Sequence, residues 1–124
     1  MMRTPGIEGG FSTNALAETL DIYPTLLDLC EPGFNKTHHP LDGVSLAPIL
    51  RKEKKSVRKY ATSYWRDAIS VRSKTHRLVA KVQGGKIVNK ELYDLRERLD
   101  TVDNILPKNS EIEEELTKQI PDRK

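Results

Sequence analysis

The side chains that could do chemistry in this sequence are few and lie far apart along the chain. His38 and His39 are adjacent in a proline-flanked loop, with no cysteine or carboxylate at metal-ligand spacing. Adjacent side chains of an extended backbone point to opposite sides, so this pair is poorly arranged to hold one metal ion. Ser45 and Ser63 lack the G-x-S-x-G context of a nucleophilic serine. The sequence therefore predicts no catalytic residue and no metal site within the chain.

The segment SYWRD, residues 63–67, is the best candidate for binding a ligand. It lies at the end of a predicted strand and combines a large aromatic ring with a guanidinium. Trp65 suits the apolar face of a sugar, and Arg66 suits an anionic group. We predict that these two residues bind substrate. The alternative is that Trp65 packs beneath a hairpin and Arg66 is solvated.

Composition and charge narrow the range of partners. The chain has 124 residues, a formal net charge of +3 and a pI near 9.0. The one dense basic run, RKEKKSVRK at residues 51–59, contains a glutamate and no aromatic residue that could stack on a base. We interpret it as a solvated linker and expect no nucleic-acid partner. No apolar run has the length of a membrane span or a signal peptide, so we expect no membrane partner.

The elements that must position these groups are helical before residue 60. We predict a helix beginning near Pro24, because the N–H that proline lacks would have no partner at the first helical position. Asp21 places a negative charge beside that N-terminus. Residues 15–20 fit either a helical turn or a buried extended segment. Residues 44–50 predict one or two helical turns limited by Pro48.

After residue 60 the hydrophobic pattern has the period of β-structure. It predicts four short antiparallel strands at residues 60–65, 68–73, 76–82 and 87–95. Gly84 and Gly85 supply the positive φ that a tight hairpin needs. Leu78, Ala80 and Val82 share one face, which favours a sheet with one face covered and one in solvent. His76 opens a strand and is expected to be a surface or hairpin residue.

The last predicted element is an amphipathic helix over residues 109–120. Asn109 or Ser110 caps it, and glutamates occupy its first turns. Ile112, Leu116 and Ile120 form a single apolar stripe. This stripe could cover the apolar face of the sheet.

Four blocks of the sequence, in this order, resemble the C-terminal third of type I sulfatases. LDIYPTLLDL at residues 20–29 is similar to the family's h-D-h-x-P-T-L-L-D-L, and GVSLAPIL at residues 43–50 to its G-x-S-L-x-P-h-L. SVRSKTHRLV at residues 70–79 resembles S-h-R-T-x-x-Y-R-h-h, with a histidine where an aromatic is common. ELYDL at residues 91–95, with Asn104 beyond it, is similar to E-L-Y-D-L-x-x-D-P-x-E-x-x-N-L, although Leu99-Asp100 departs from the Asp-Pro order.

The resemblance implies an α+β fold: the C-terminal part of the alkaline-phosphatase-like sulfatase fold, with a proline-led helix, a small four-stranded antiparallel sheet and a C-terminal helix. Residues 1–55 would be a remnant of the large α/β domain, and residues 56–124 the C-terminal antiparallel subdomain with its terminal helix. The parent protein would hydrolyse sulfuric esters of a sulfated small molecule or a sulfated glycan. The leucines of the proline-led helix would then be exposed where the rest of the large domain is missing, and such a patch normally marks an interface.

The family's reacting groups are expected to lie outside this chain. Sulfatases use a hydrated formylglycine made from the Cys or Ser of C/S-x-P-S-R, together with Ca²⁺. Cys30 begins a C-x-P triplet, but Gly33 and Phe34 replace the Ser and Arg of that motif. We interpret Cys30 as a small apolar residue closing a helix that Pro32-Gly33 terminates. The chain alone is therefore predicted to be inactive and without cofactor, whereas a full-length member would carry formylglycine and Ca²⁺.

Two other functions stay open at this point. A freestanding module could bind a protein or a polyanion through its exposed helix face and its basic run, without catalysis. A small basic nucleic-acid binder is the other reading. Family members are often periplasmic, secreted or lysosomal, but these residues indicate no compartment.

Overall fold

A computed structural model describes residues 2–31, 39–106 and 110–121. The chain divides into two compact units, Met1–Arg58 and Lys59–Lys124, which we call the helical unit and the sheet unit. The predicted domain boundary lay a few residues earlier, after residue 55. Three features of the sequence analysis lie outside the described residues: His38, the Pro32-Gly33 stop and the Asn109 cap.

The helical unit is built from a 3₁₀ turn and two short helices. The turn, Thr19–Asp21, leads directly into α1, Ile22–Cys30, and α2 spans Ala47–Leu50. Residues 15–20 therefore end in a helical turn, one of the two forms that the sequence left open. α1 begins two residues before Pro24, so this proline lies in the first turn, where its missing N–H costs no hydrogen bond.

Pro48 lies in the first turn of α2 instead of limiting its end. The same physical reason applies, because a first-turn residue needs no N–H donor. The short helix is closed instead by Arg51, whose N–H bonds to Ala47 O at 2.9 Å, and by Lys52, which has φ +62°. A proline thus lies in the first turn of each helix of this unit.

The sheet unit contains the four predicted strands in consecutive order. β1 is Ala61–Trp65, β2 is Ala68–Arg72, β3 is His76–Gln83 and β4 is Lys86–Asp94. Each strand pairs antiparallel with the next, and the sheet order is β1-β2-β3-β4. Each predicted boundary is within one residue of the observed one. The boundaries could be predicted because apolar and polar side chains alternate with a period of two in a strand that has one covered face.

One face of the sheet forms the core. Its buried side chains are Ile69, Val71, Leu78, Leu92 and Leu116. The last of these belongs to α3, Ser110–Thr117, and it is completely buried. Ile112 and Ile120 pack partly buried against the same cluster. The predicted stripe of the terminal helix therefore covers the apolar face of the sheet, as expected.

His76 is the one strand residue whose environment differs from expectation. It lies at the β2–β3 hairpin as predicted, but its side chain is buried and not on the surface. Its Nδ1 is 2.9 Å from Thr75 Oγ1. The position belongs to the core-facing alternation of Leu78 and Ala80, so the pleat turns the ring inward.

Candidate functional site

The polar side chains of α1 point into the helical unit. Asp21 and Thr25 are both fully buried, whereas Ile22, Tyr23 and Leu26 are each about half exposed. This distribution is the reverse of an ordinary surface helix, whose apolar stripe faces inward. The polar groups must therefore find partners inside the unit, because a buried polar group without a hydrogen bond costs stability.

Asp21 finds a full set of donors. Its Oδ1 accepts the N–H of Val44 at 2.8 Å, and its Oδ2 accepts the N–H of Glu18 at 2.8 Å. The guanidinium of Arg58 donates to both oxygens, through Nε at 3.1 Å to Oδ2 and through a terminal nitrogen to Oδ1. A carboxylate has about four lone-pair sites, so these four donors leave no room for a further ligand.

The environment of Asp21 keeps it ionised. Burial by itself raises the pKa of this carboxyl, but the Val44 and Glu18 N–H groups and the Arg58 guanidinium outweigh it and hold the pKa below the ordinary value. Arg58 also pairs with Glu18 at 3.0 Å, and its side chain is only 12% exposed. Asp21 is therefore a fixed structural anion and not an acid or base available for chemistry.

Two further side chains tie α1 to residues 43–47. Thr25 Oγ1 donates to Asp21 O at 2.5 Å and accepts the N–H of Leu46 at 2.8 Å. Ser45 Oγ donates to Asp28 Oδ2 at 2.7 Å and accepts the N–H of Ala47 at 3.1 Å. These contacts join the block at residues 20–29 to the block at residues 43–50. The resemblance to sulfatases in both blocks thus falls on residues that hold the fold together.

Gly43 completes this junction by its lack of a side chain. A Cβ at this position would lie 2.0 Å from the carbonyl oxygen of Leu20. That oxygen belongs to the backbone of the turn that precedes α1, so it cannot move aside cheaply. Only glycine allows the two segments to approach this closely.

Arg58 is the functional residue of this cluster that sequence reasoning missed. It was assigned to the solvated basic run at residues 51–59, and that assignment is wrong for Arg58 because it is largely buried in two ion pairs. Its partner Asp21 lies 37 residues away, and no local pattern reports such a pairing. The E-x-x-D spacing of Glu18 and Asp21 is a weak signal of a helix start that could have identified the other two members.

The predicted binding residues lie at the tip of the β1–β2 hairpin. Trp65 ends β1 and pairs with Ala68, which leaves Arg66 and Asp67 as a two-residue turn. The Trp65 side chain is 74% exposed, so the alternative in which it packs beneath the hairpin is wrong. The guanidinium carbon of Arg66 lies 5.8 Å from the centre of the Trp65 ring, within the range of a cation–π contact. The two residues therefore form one exposed aromatic–cationic group.

Arg66 adopts a left-handed backbone conformation, with φ +53°. Such a conformation is strained for a residue with a side chain, and glycine is the usual occupant of this place in a tight hairpin. Non-glycine residues in strained conformations cluster at functional sites. The hairpin tip thus combines exposure, charge and backbone strain.

The described residues do not fit the Ca²⁺ or the formylglycine of the sulfatase family. They contain no group of three or more His, Cys, Asp or Glu side chains that could hold a metal ion. The carboxylates of Asp21 and Asp28 are already engaged by Arg58 and Ser45. Cys30 is a free, exposed thiol at the end of α1.

Two hollows of about 580 and 460 Å³ lie along residues 2–17 of the helical unit. They are bordered by Phe11 and Leu50, and the smaller one also by Ile49. Their one carboxylate, Glu8, pairs with Lys52 Nζ at 2.9 Å. They offer apolar surface but no pair of groups that could act as nucleophile and base. Every helix in the described part of the chain is too short or too polar to cross a lipid bilayer.

Comparison with curated proteins finds similarity to two sulfatases. The N-acetylglucosamine-6-sulfatases of Capra hircus and Homo sapiens are each 41% identical to this chain over 51 residues, which is 41% of this chain and 9% of each relative. No protein-family model matches the sequence.

One solved structure is similar to this chain in its fold. It is described as BT4656 in complex with its substrate D-glucosamine-2-N,6-O-disulfate. It superposes with a TM-score of 0.62 at 25% identity, over 79% of this chain and 22% of that protein. This chain thus spans less than a quarter of the known proteins that it matches. The similarities confirm the predicted resemblance to sulfatases and the predicted α+β fold.

Proposed function

We propose that this sulfatase-like chain is the C-terminal portion of a sulfuric ester hydrolase. The proposal rests on the superposition with the solved structure that binds a sulfated glucosamine. The matched region covers 79% of this chain but 22% of that protein. The unmatched part of such a protein would supply the sheet of the large α/β domain. The half-exposed apolar face of α1, formed by Leu20, Ile22, Tyr23 and Leu26, is the surface that this sheet would cover.

In this proposal the chain contributes the flank of a substrate pocket and not the reacting groups. Sulfuryl transfer places negative charge on the sulfate oxygens, which requires a metal ion and cations around them. A formylglycine and a Ca²⁺ would both come from the preceding portion of the enzyme. Support comes from Asp21, whose four acceptor sites are filled by protein donors.

We further propose that Trp65 and Arg66 contact the substrate. The exposed indole offers an apolar surface to a sugar ring, and the guanidinium offers paired donors to a sulfate. The strained φ of Arg66 supports a role beyond folding. The substrate class is a sulfated glycan or sulfated small molecule, and the sulfated glucosamine bound by the structural neighbour supports the glycan.

The first experiment separates a dependent portion from a self-sufficient enzyme. The purified 124-residue chain should release no 4-nitrophenol from 4-nitrophenyl sulfate, with or without added Ca²⁺. Sequencing the gene upstream of the Met1 codon should reveal an in-frame C/S-x-P-S-R. Metal-dependent turnover by the pure chain would contradict the proposal, as would an upstream reading frame without this motif.

The second experiment tests the hairpin tip in the longer protein that carries that motif. Trp65→Ala and Arg66→Ala should raise KM for a sulfated glucosamine by about tenfold, with a smaller change in kcat. Lys86→Ala at the neighbouring β3–β4 hairpin is the matched control, since it removes an exposed cation from another turn. Equal effects at the two hairpins would remove Trp65 and Arg66 from the substrate site.

The second candidate function is a freestanding module that binds a protein or a polyanion without catalysis. Two observations favour it: the exposed apolar face of α1 and the exposed cations at residues 51–55. In this case heparin should retain the 124-residue chain at moderate salt. Glutamine at Arg51, Lys52, Lys54 and Lys55 should abolish that retention. Retention that survives these four changes would exclude this candidate.

A further inference from the structure

We propose that the open face of the sheet binds the sulfate group of a saccharide through Arg72 and Arg77. The open face is the face of β1–β4 opposite the apolar core. It shares Trp65 with the hairpin tip but places the sulfate between Arg72 and Arg77, and no step of sulfate hydrolysis is assigned to it. Binding at this site can therefore be tested without reference to the sulfatase activity of a longer protein.

The first supporting observation is the register of the two arginines. Arg72 of β2 and Arg77 of β3 are directly paired across the β2–β3 ladder. Residues opposed in this way have Cβ atoms about 5 Å apart, and two like charges in this arrangement destabilise a sheet. Each of these side chains carries a positively charged guanidinium. An oxoanion between them would offset this repulsion and accept several charge-assisted hydrogen bonds.

The second observation is that neither guanidinium is neutralised within the described residues. Neither Arg72 nor Arg77 has a carboxylate of the described chain within 4 Å. The Nε of Arg72 is buried and has no hydrogen-bond partner among them. Arg77 donates a hydrogen bond to the carbonyl oxygen of Leu99, at 3.5 Å, and acts electrostatically on the Tyr93 hydroxyl. A buried polar nitrogen without a partner is rare in folded proteins.

One carboxylate does share the face. Glu91 of β4 pairs with Val79, one step diagonal from Arg77, which itself pairs with Tyr93. The Glu91 carboxylate accepts a hydrogen bond from the Tyr93 hydroxyl. This bond raises the pKa of Tyr93 and directs the carboxylate toward the phenol. The acid therefore borders the arginine pair without neutralising it.

The remaining residues of the open face fit a sulfated saccharide better than another kind of anionic ligand. Between the arginine pair and the hairpin tip the paired residues are small: Ala61 lies opposite Arg72, and Ser63 lies opposite Ser70. The two serine hydroxyls can bond to a sugar, and β3 adds Val79 and Lys81 to the same face. Trp65, paired with Ala68 on this same face, provides an exposed ring at the far end. A nucleic acid would call for several stacking rings, and the open face has one such exposed ring among its described residues.

The dimensions agree with this assignment. Ala68 and Arg72 are four residues apart on β2, which corresponds to about 13 Å at the usual rise of a strand. A saccharide of two rings can span this distance with one ring near Trp65 and a sulfate between the arginines. The arginine pair would supply charge, and the serines and the indole would supply selectivity for a sugar.

The test is a titration of the full 124-residue chain labelled with ¹⁵N, followed by NMR at constant ionic strength. The probe is a disaccharide of D-glucosamine-2-N,6-O-disulfate units, compared with the unsulfated disaccharide and with inorganic sulfate. We expect saturable shifts at the side-chain signals of Arg72 and Arg77 and at the Trp65 indole. The sulfated sugar should bind at least about tenfold more tightly than either control. Equal affinity for inorganic sulfate would show that the site binds an anion without recognising the sugar, and would refute the proposal.

Variants locate the site. Arg72→Gln with Arg77→Gln should weaken binding of the sulfated sugar at least about tenfold. Lys54→Gln with Lys55→Gln removes the same charge from the exposed basic run and should change binding less than twofold. An equal loss in both double variants would show attraction by net charge alone and would refute the proposal.

Thermal unfolding of the same variants separates binding from folding. Because the arginine pair is repulsive in the absence of an anion, removing it should leave the unfolding midpoint unchanged or raise it. A lower midpoint would show that the pair has a structural role and would overturn the proposal. Absence of shifts at Arg72 and Arg77 in the unaltered chain would do so as well.

Discussion

The helical unit buries a carboxylate, Asp21, and a threonine, Thr25, and leaves Ile22 and Leu26 about half exposed. The sheet unit does the opposite, because it buries a cluster of aliphatic side chains beneath α3 and leaves most of its ion pairs exposed. Hydrophobic burial stabilises the sheet unit through area removed from water. The helical unit depends on the pairing of polar groups, which is strongly directional but contributes less net stability.

These two patterns of burial indicate which unit is stable without a partner. A unit with its apolar residues inside has satisfied its main driving force, whereas a unit with its apolar residues outside still needs a partner. The buried network of Asp21, Thr25 and Arg58 fixes the shape of the helical unit and presents the apolar face of α1. We expect the two units to respond differently to substitution, acid and strain relief, and the following tests address this contrast.

The largest effect should come from the core of the sheet unit. Leu78→Ala removes a fully buried side chain and should lower the free energy of unfolding by about 3 kcal/mol. Urea unfolding followed by circular dichroism measures it. Val88→Ala, at a 54% exposed position, should change the value by less than about 0.5 kcal/mol. Similar losses in the two variants would contradict the assigned core.

A smaller effect is expected from the polar network. Asp21→Asn keeps the size of the side chain but leaves Arg58 without its carboxylate, and the loss of these charge-assisted hydrogen bonds should cost about 2 kcal/mol. Hydrogen exchange should show the loss of protection in residues 19–31 and 43–51 and not in the sheet. Asp100→Asn, which breaks an exposed pair with Arg98, serves as control and should cost less than about 0.5 kcal/mol. Loss of protection in the sheet would show that the network does not act locally.

Acid should open the helical unit first. Because the folded state holds the pKa of Asp21 below its ordinary value of 3.8, this ion pair stabilises the unit fully above that value. The stabilisation is lost as the pH falls below 3.8 through the folded pKa. Asp94 and Glu115 of the sheet unit also have lowered pKa values, owing to Arg96 for the former and to Tyr60 and Lys59 for the latter. These pairs are exposed and contribute little.

Hydrogen exchange between pH 5 and 2.5 checks the order of opening. Residues 19–31 and 43–51 should lose protection at a higher pH than residues 61–94. Simultaneous loss in both units would mean that Asp21 does not control the acid response.

The smallest effect should come from the hairpin tip, and it has the opposite sign. Arg66→Gly relieves the positive φ and should raise the free energy of unfolding by about 0.5 kcal/mol, even though the contact with Trp65 is lost. Lys86→Gly at the start of β4 should instead lower it by a similar amount, since glycine weakens a strand. A destabilised Arg66→Gly variant would show that the arginine supports the fold, and would weaken its assignment to substrate.

Much of the fold could be predicted from local pattern. The four strands follow from alternation, and α3 follows from a stripe at spacing four that meets the sheet. The start of α1 was placed two residues late, because the first-turn rule for proline admits several positions. At the candidate site, the exposure of Trp65 was predicted as one of two alternatives, and only the structure decided between them. The burial of His76 and Arg58 was missed, since each depends on what packs against it.

The elements of this protein, their order and the resemblance to sulfatases follow from the amino-acid sequence alone, because these depend on neighbours within a few residues. Which charges are buried, and which have no carboxylate partner among the described residues, depends on the folded chain. Asp21 and Arg58 meet across 37 residues, and Arg72 and Arg77 meet through strand register. Both outcomes depend on the free energy of a charge in its final surroundings, which the chain acquires only when it is folded.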